Sequence, residues 1–384
     1  MFLKYVVMNV YITKIGKYLP NSPVSNDDIE EYLGLICGKH SRVKSIVLRQ
    51  NGIKTRYYAL DRQHKMTHTN AELAVLSIKK MFESSSFPSN IDMLVCATGN
   101  PDQLLPSHAS MVHGLLKNYP MEIFSCAGVC LTCLQALKIA YMAVKSEEAK
   151  NVICSTSELA SPTLLSKNYD EEYENCCRIG KNPYMAFEKD FLRFMLSDGA
   201  SSVLLSNKIN ADSLSLEINW IEMVSFANEL PVCMFMGAEL RDDGELKSWK
   251  DFDSKDLLNR SVFAVKQDIR LLKPNIIKYW VEHIQQCLIK HKLDASDVKY
   301  VIPHVSSMFF YEKLAEEIKI RNIDLREDKW FTNLTSVGNI ASAAIFAALE
   351  ELYYSGKLFS GDKILLLVPE SGRFSYGTVL LTVV

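Results

Sequence analysis

The chain has no excess of charge of either sign. Its 384 residues carry 43 Lys and Arg against 45 Asp and Glu, a formal net charge of -2 at pH 7. Without a dominant basic field, a nucleic-acid partner is not expected. The chain also lacks a long apolar run. Lys4, Asn9 and Lys14 break the hydrophobic start, no small-residue cleavage site follows, and nothing further along approaches a membrane span. A cytoplasmic protein is therefore expected, and residues 1–8 read as a first strand. Hydrophobic residues at 48% and charged residues at 23% exclude general disorder and suffice for a sizeable core. Ten cysteines in a reducing compartment read as free and mostly buried thiols, Cys176 and Cys177 among them. The densest basic segment, Lys39 to Arg56, is a candidate docking surface for an acidic partner.

What the chain does have is an internal repeat. A helical stretch, Asn70 to Glu83, leads into an apolar strand, Ile91 to Cys96. A second helix, Pro106 to Lys117, and a second strand, Met121 to Phe124, follow. After the turn Ser125-Cys126-Ala127-Gly128 come a helix to about Lys145 and the strand Asn151 to Ser155. The order recurs later. Helical spacing over Asn275 to Leu288 places Ile276, Trp280, Ile284 and Cys287 on one face. It precedes the strand Val298 to Ile302, a helix Ser306 to Lys319 and a strand Trp330 to Asn333. The turn Val337-Gly338-Asn339, a helix Ala341 to Tyr354 and a strand Lys363 to Val368 complete the second copy. Such alternation predicts right-handed βαβ units in mostly parallel sheets, and two packed copies give an α/β protein with α/β/α/β/α layers. The halves fall at residues 1–210 and 211–384. Polar and aromatic residues over 161–193 (Tyr169, Tyr173, Tyr184, Phe187) read as a cap inserted in the first half, and 225–272 is similarly irregular.

Three residues occupy corresponding places on this duplicated scaffold. Cys126 stands where a strand enters a helix, and a helix N-terminus lowers a thiol pKa. The thiolate is the form that attacks a thioester. His304 follows Val301-Ile302-Pro303 at the C-terminal end of a strand, where open α/β sheets place their ligands. Asn339 holds in the second half the place of Cys126 in the first. Taken singly, each has a plain structural explanation: a buried inert thiol, a core histidine, a helix N-cap. Their agreement on one edge favours the functional reading of all three.

A rival comes from Cys126, Cys130 and Cys133, whose CxxxCxxC spacing matches that of radical enzymes binding an iron–sulfur cluster and S-adenosylmethionine. If the three lie on one helix, the outer two are separated by about 10 Å along its axis. That is too far for one compact cluster, so no metal is expected.

These motifs together resemble the β-ketoacyl synthase III group of the thiolase superfamily. The resemblance spans nearly the whole chain. It rests on Asn51-Gly52-Ile53-Lys54-Thr55-Arg56, Cys126-Ala127-Gly128, Ser197-Asp198-Gly199-Ala200, Pro303-His304-Val305-Ser306-Ser307, Gly338-Asn339-Ile340-Ala341-Ser342-Ala343 and the turn Ser371-Gly372-Arg373-Phe374-Ser375-Tyr376-Gly377. It implies a thiolase-like duplicated fold in which Cys126 takes an acyl group from a thioester. The backbone N–H groups of Cys126 and Gly372 would form the oxyanion hole. His304 and Asn339 would polarise the carbonyl of a second thioester. Leu105 aligns with a position that reaches into the partner's acyl tunnel, so a homodimer is expected. Ser307 and Arg49 join Leu105 as implied substrate-binding residues. The substrates would be phosphopantetheine thioesters, with no cofactor of the protein's own.

Two departures bear on the donor. Gln50, with Arg49 adjacent, stands where coenzyme A-using relatives carry an arginine, and no tryptophan lies nearby. Ser307 replaces the asparagine of the histidine motif. An acyl carrier protein is therefore the favoured donor over acyl-coenzyme A. The Pro-His-x-Ser-Ser form and the large cap look like the dialkylresorcinol and flexirubin condensing enzymes. The expected reaction is a ping-pong, Claisen-type carbon–carbon condensation between a Cys-bound acyl group and a malonyl- or β-ketoacyl thioester, in fatty-acid, aryl-polyene or dialkylresorcinol-type synthesis. An acyltransferase passing the acyl group to a hydroxyl or amine is the alternative, and a non-catalytic partner subunit a more distant one.

Overall fold

The computed structural model describes residues 8–83, 87–173 and 190–384. Residues 1–7 of the expected first strand lie outside these, as do Cys176, Cys177, Tyr184 and Phe187 of the cap. The first described strand is β1 (Tyr11–Tyr18). The N-terminal copy follows as α1 (Asn70–Lys80), β2 (Met93–Thr98), α2 (His108–Leu116), β3 (Glu122–Ala127), α3 (Thr132–Lys145), β4 (Asn151–Glu158) and β5 (Gly199–Ser206). The C-terminal copy comprises β6 (Leu216–Ser225), α4 (Ile269–Lys290), β7 (Val298–Pro303), α5 (Met308–Ile320), α6 (Ala344–Tyr353), β8 (Lys363–Glu370) and β9 (Ser375–Val383).

Helix starts follow local chemistry. Thr69 and Glu72 form a capping box on α1, and the Asp268 side chain accepts the N–H groups of Arg270 and Leu271 at the start of α4. That cap lets α4 begin six residues before the expected Asn275, with Pro274 inside its second turn.

The nine strands run in the order β7-β8-β9-β6-β1-β5-β4-β2-β3. The pairings β2–β3, β2–β4 and β7–β8 are parallel, as the βαβ repeat requires. The pairings β4–β5, β5–β1, β1–β6, β6–β9 and β9–β8 are antiparallel. The sheet is therefore mixed rather than mostly parallel, because β1, β5, β6 and β9 join without a crossover helix. Tyr11 opposite Glu217 and Ile12 opposite Leu216 join the two half-sheets, with Ile218 N–H donating to the Val10 carbonyl beside them.

Alternation along the strands creates the layers. In β2, Val95 and Ala97 face an inner core, whereas Leu94 and Cys96 face α1 and α2. In β8, Ile364, Leu366 and Val368 face the same inner core, and Leu365 and Leu367 face α4 and α5. The inner core holds α3 (Leu134, Leu137, Val144) and α6 (Phe346, Leu349, Leu352) between the half-sheets. This gives the five α/β/α/β/α layers, with one helix from each copy in the shared middle. Burying a side chain such as Leu366 there contributes about 2–3 kcal/mol of transfer free energy.

One element differs from expectation. Trp330 to Asn333 forms no strand; it makes a single parallel bridge to Val301 and turns into a short helix, Leu334–Val337. The described ends of the cap are anchored in the core. Leu164, Leu165 and Tyr169 are buried, and buried Arg193 donates to the carbonyls of Leu164, Leu33 and Gly34 and pairs with Asp190.

Candidate active site

The loop carrying Asn339 is clamped on two sides. The Asn339 N–H donates to the Met195 carbonyl at 3.2 Å, and its own carbonyl accepts from Ser197 N–H at 2.9 Å. Lys54 N–H and the Thr55 hydroxyl donate to Thr335 and Ser336 carbonyls from the other side. Gly338 sits at φ 76°, and a Cβ there would fall 2.9 Å from Ser197 Cβ and 3.0 Å from Arg56 Cβ. Both conformation and space require glycine. The Asn339 side chain does not cap α6, whose N-cap is Ala343. Its Oδ1 accepts from Ala341 N–H at 3.0 Å, which turns the amide so that the NH2 is left as the outward donor.

His304 directly follows β7, and its N–H donates to Leu367 O of β8 at 2.8 Å. Burial pushes its imidazole down to about 4, because taking the ring out of water disfavours the cation. His304 is therefore neutral at physiological pH, with one ring N–H to donate.

Cys126 is the penultimate residue of β3, opposite Ala97, and not the first residue of a helix. Residues 128–131 form a turn, and α3 begins at Thr132. Burial raises the half-buried thiol above its ordinary value, so the expected lowering by a helix N-terminus does not occur. Taking the thiol out of water is the cause; the Glu370 carboxylate, for its part, receives the N–H groups of Val129 and Leu131 in the turn. The same geometry removes the premise that Cys126, Cys130 and Cys133 share one helix. Among the described residues, no three His, Cys, Asp or Glu side chains converge to hold a metal ion.

His304 and Asn339 line one cavity of about 590 Å³ of empty space, its mouth included, together with Val129 and Cys130 of the Cys126 turn and Ser306, Ala341, Pro369 and Ser371. Its remaining wall is mostly apolar, from Met195 and Leu196 after the cap, Met234 of the 225–272 segment, and Leu272, Ile276, Trp280 and Phe310, with the polar Gln267 among them. Cys126 itself is absent from the wall and lies against the inner core just behind it. Ser306 rather than Ser307 faces the cavity; Ser307 is buried with a hydroxyl lacking a partner. Gly372 packs on the Cys126 turn, where a Cβ would come within 3.1 Å of Val129 Cγ2. Arg49 is exposed on the helix Lys44–Asn51, away from the cavity. Leu105 is 85% exposed and touches no part of the site.

Glu158, Glu370 and Gln267 were not singled out by sequence reasoning, and Trp280 was read only as part of a helix's packing face. Glu158 carried a usable signal, since it ends a parallel strand that continues three residues past Ser155. The others reach the site through packing between distant segments, which no local pattern reports.

Among the described residues no helix is long and apolar enough to cross a membrane. Residues 288–383 match the family described as 3-oxoacyl-(acyl-carrier-protein) synthase III, C terminal. The β-ketoacyl-(acyl-carrier-protein) synthase III of Clostridium tetani is 23% identical over 359 residues, covering 93% of this chain and 94% of the relative. That of Aquifex aeolicus is 23% identical over 377 residues, covering 97% and 99%. The Aquifex aeolicus structure superposes with a TM-score of 0.68 at 22% identity, covering 97% of this chain and 99% of that one. AbyA1, a tetronic acid condensing enzyme, reaches 0.75 at 18% identity with the same coverage. The duplicated layers, the motifs in order and this end-to-end similarity agree: the chain has the fold of these β-ketoacyl-(acyl-carrier-protein) synthase III structures, and its residues 288–383 match the C-terminal part of that family.

Proposed function

We propose that the protein is a condensing enzyme that joins a Cys126-bound acyl group to a second thioester through a new carbon–carbon bond. The observation that carries this reading is the cavity that places buried His304 and Asn339 beside the Cys126 turn. In the first half-reaction the Cys126 sulfur attacks the acyl thioester carbonyl. The oxyanion is held by the N–H groups of Cys126 and Gly372, and the carrier thiol leaves with the proton that Cys126 gives up. In the second, neutral His304 and the Asn339 NH2 donate to the carbonyl oxygen of a malonyl- or β-ketoacyl thioester. Loss of CO2 from a malonyl thioester, or transfer of an α-proton from a β-ketoacyl thioester to water, then yields an enolate, which attacks the acyl-Cys126 carbonyl and expels the thiolate. Two neutral donors suit this task, because the charge they stabilise appears only as the enolate forms. The low imidazole pKa supports a neutral His304.

The favoured donor is an acyl carrier protein, and acyl-coenzyme A is the alternative. Exposed Arg49 and Lys39 support docking of an acidic carrier; their segment ends at Gly52, which abuts Met308 at the start of α5. Xanthomonas campestris OleA, similar at 18% identity and a TM-score of 0.71, has been crystallised with lauric acid and lauroyl-CoA, which favours an acyl thioester of some kind. A homodimer fits two features, the open edge strand β3 with exposed Phe124 and the exposed Leu104 and Leu105. The dialkylresorcinol-type subgroup is our narrower reading of the substrate.

Intact-mass measurement after incubation with acyl-carrier thioesters tests the proposal. Wild type should gain the acyl mass and Cys126→Ala should not; adding malonyl-carrier should release a carbon–carbon product. An unchanged adduct on Cys126→Ala would sink the nucleophile. An ester or amide as sole product would establish acyl transfer to a hydroxyl or amine instead.

A further inference from the structure

Behind the cavity, one buried carboxyl connects the two loops that carry the proposed chemistry. Glu158 ends β4 and is 4% exposed. Its Oε1 accepts from Gly99 N–H at 3.0 Å and from the Ser342 hydroxyl at 2.5 Å, and the Ser342 N–H also donates to the carboxylate. Gly99, at the end of β2, lies directly on the Cys126 turn: a Cβ there would meet Gly128 O at 2.6 Å. Ser342 lies three residues past Asn339, across Ala341, which is held at φ 41°. A left-handed non-glycine residue persists only where its surroundings hold it. The ties on either side of Ala341 are the Asn339 Oδ1 bond and the Glu158–Ser342 bond.

We infer that Glu158 is a positioning residue, which fixes the Asn339 loop against the Cys126 turn so that the amide donor and the acyl group stand in register for condensation. The inference rests on the reading of Cys126 and Asn339 given above. It touches only the second half-reaction, because loading of Cys126 does not use the Asn339 amide.

The ionised carboxylate is the better acceptor for Ser342. Burial pushes Glu158 up to about 7. Of the groups that face it, Asp198, itself raised to about 6, opposes its ionisation. Cys130 and Cys133 of the turn and α3 stay neutral, their thiols pushed up by burial, and Glu370 faces those same thiols. Protonation of Glu158 weakens the hold on Ser342, so condensation should show an inflection near 7 that loading, which follows the Cys126 thiol alone, lacks.

Single-turnover loading and condensation, each measured from pH 5.5 to 8.5, test this. In Glu158→Gln, loading should match wild type. Condensation should run at the wild-type acid plateau at every pH. Glu158→Ala should condense at least about tenfold more slowly than wild type at pH 8, with partial rescue by Gln. Ser342→Ala should act as Glu158→Gln does, and the double variant should add little. Persistence of the wild-type inflection in Glu158→Gln, or equal losses in loading and condensation, would overturn the inference. Should Glu158→Ala fail to fold, Ser342→Ala carries the same comparison. Failure of wild type to load would instead overturn the condensing reading. The tie itself is then read by amide exchange over residues 337–343, which must quicken in Glu158→Gln or Ser342→Ala for the inference to stand.

Discussion

The two copies of the repeat solve the same local problem differently. In the N-terminal copy, β3 pairs with β2 over six residues and ends the sheet as an open edge, with Phe124, Ser125 and Ala127 exposed and Cys126 only half-buried. In the C-terminal copy, the matching segment Trp330 to Asn333 makes one bridge, and its tryptophan packs edge-on against Tyr311 of α5. The next loop then buries Asn339 under the clamp of residues 54–57 and 195–197. One copy therefore offers a reachable thiol on an unfinished edge, and the other holds two neutral donors in a sealed wall. The two copies diverge where burial is withdrawn, and the proposed mechanism assigns reactivity to the exposed copy and orientation to the buried one.

The comparison is sharpened most by separating the half-reactions. Cys126→Ala should abolish loading, whereas His304→Ala and Asn339→Ala should load normally and lose about 10²–10³-fold in condensation; equal loss of both steps would break the division of labour. Next comes packing. Leu366→Ala, in the shared middle layer, should cost about 2–5 kcal/mol in urea unfolding. Phe124→Asp on the edge should leave the urea midpoint within about 0.5 kcal/mol and act on self-association, measured by sedimentation; an unchanged mass distribution would remove β3 as an interface.

A third test concerns pH. Burial pushes the folded-state Glu158 carboxyl up from the ordinary 4.5 to about 7. Folding then favours the protonated form, so its stability contribution is full below about pH 4.5 and is lost as pH rises through about 7. Glu158→Gln should accordingly be more stable than wild type at pH 8, by roughly 1–3 kcal/mol, with no gain at pH 4; a loss at pH 8 would contradict a costly buried charge. The smallest effect is in thiol reactivity. Because burial raises Cys126, its alkylation rate should still be climbing at pH 9, and a plateau below pH 8 would restore the helix-terminus account.

The order of elements was legible because periodicities of 2 and 3.6 are local properties, and the repeat placed His304 and Asn339 on one edge before any contact was known. Three features were not legible. Trp330 to Asn333 has strand-like residues, but pairing is decided by what lies beside it. The apolar run from Val129 reads as helix back to Cys126, yet Glu370, more than two hundred residues away, takes the turn's N–H groups. Burial of Glu158 and the cavity wall from Gln267 and Trp280 depends on contacts between segments far apart in the chain. The resemblance supplied a role for Ser307, but the backbone turns Ser306 to the cavity instead.

The shared middle layer has a consequence for biosynthesis. Helix α3 is made early, but its inner face is covered partly by α6 and β8, which are made more than two hundred residues later. At ordinary rates of translation the ribosome needs roughly 10–30 s to finish the second half. Throughout that interval a nascent chain displays Leu134, Leu137 and Val144 to solvent. A truncated product missing the last strands would be a substrate for chaperones and proteases rather than a half-working enzyme.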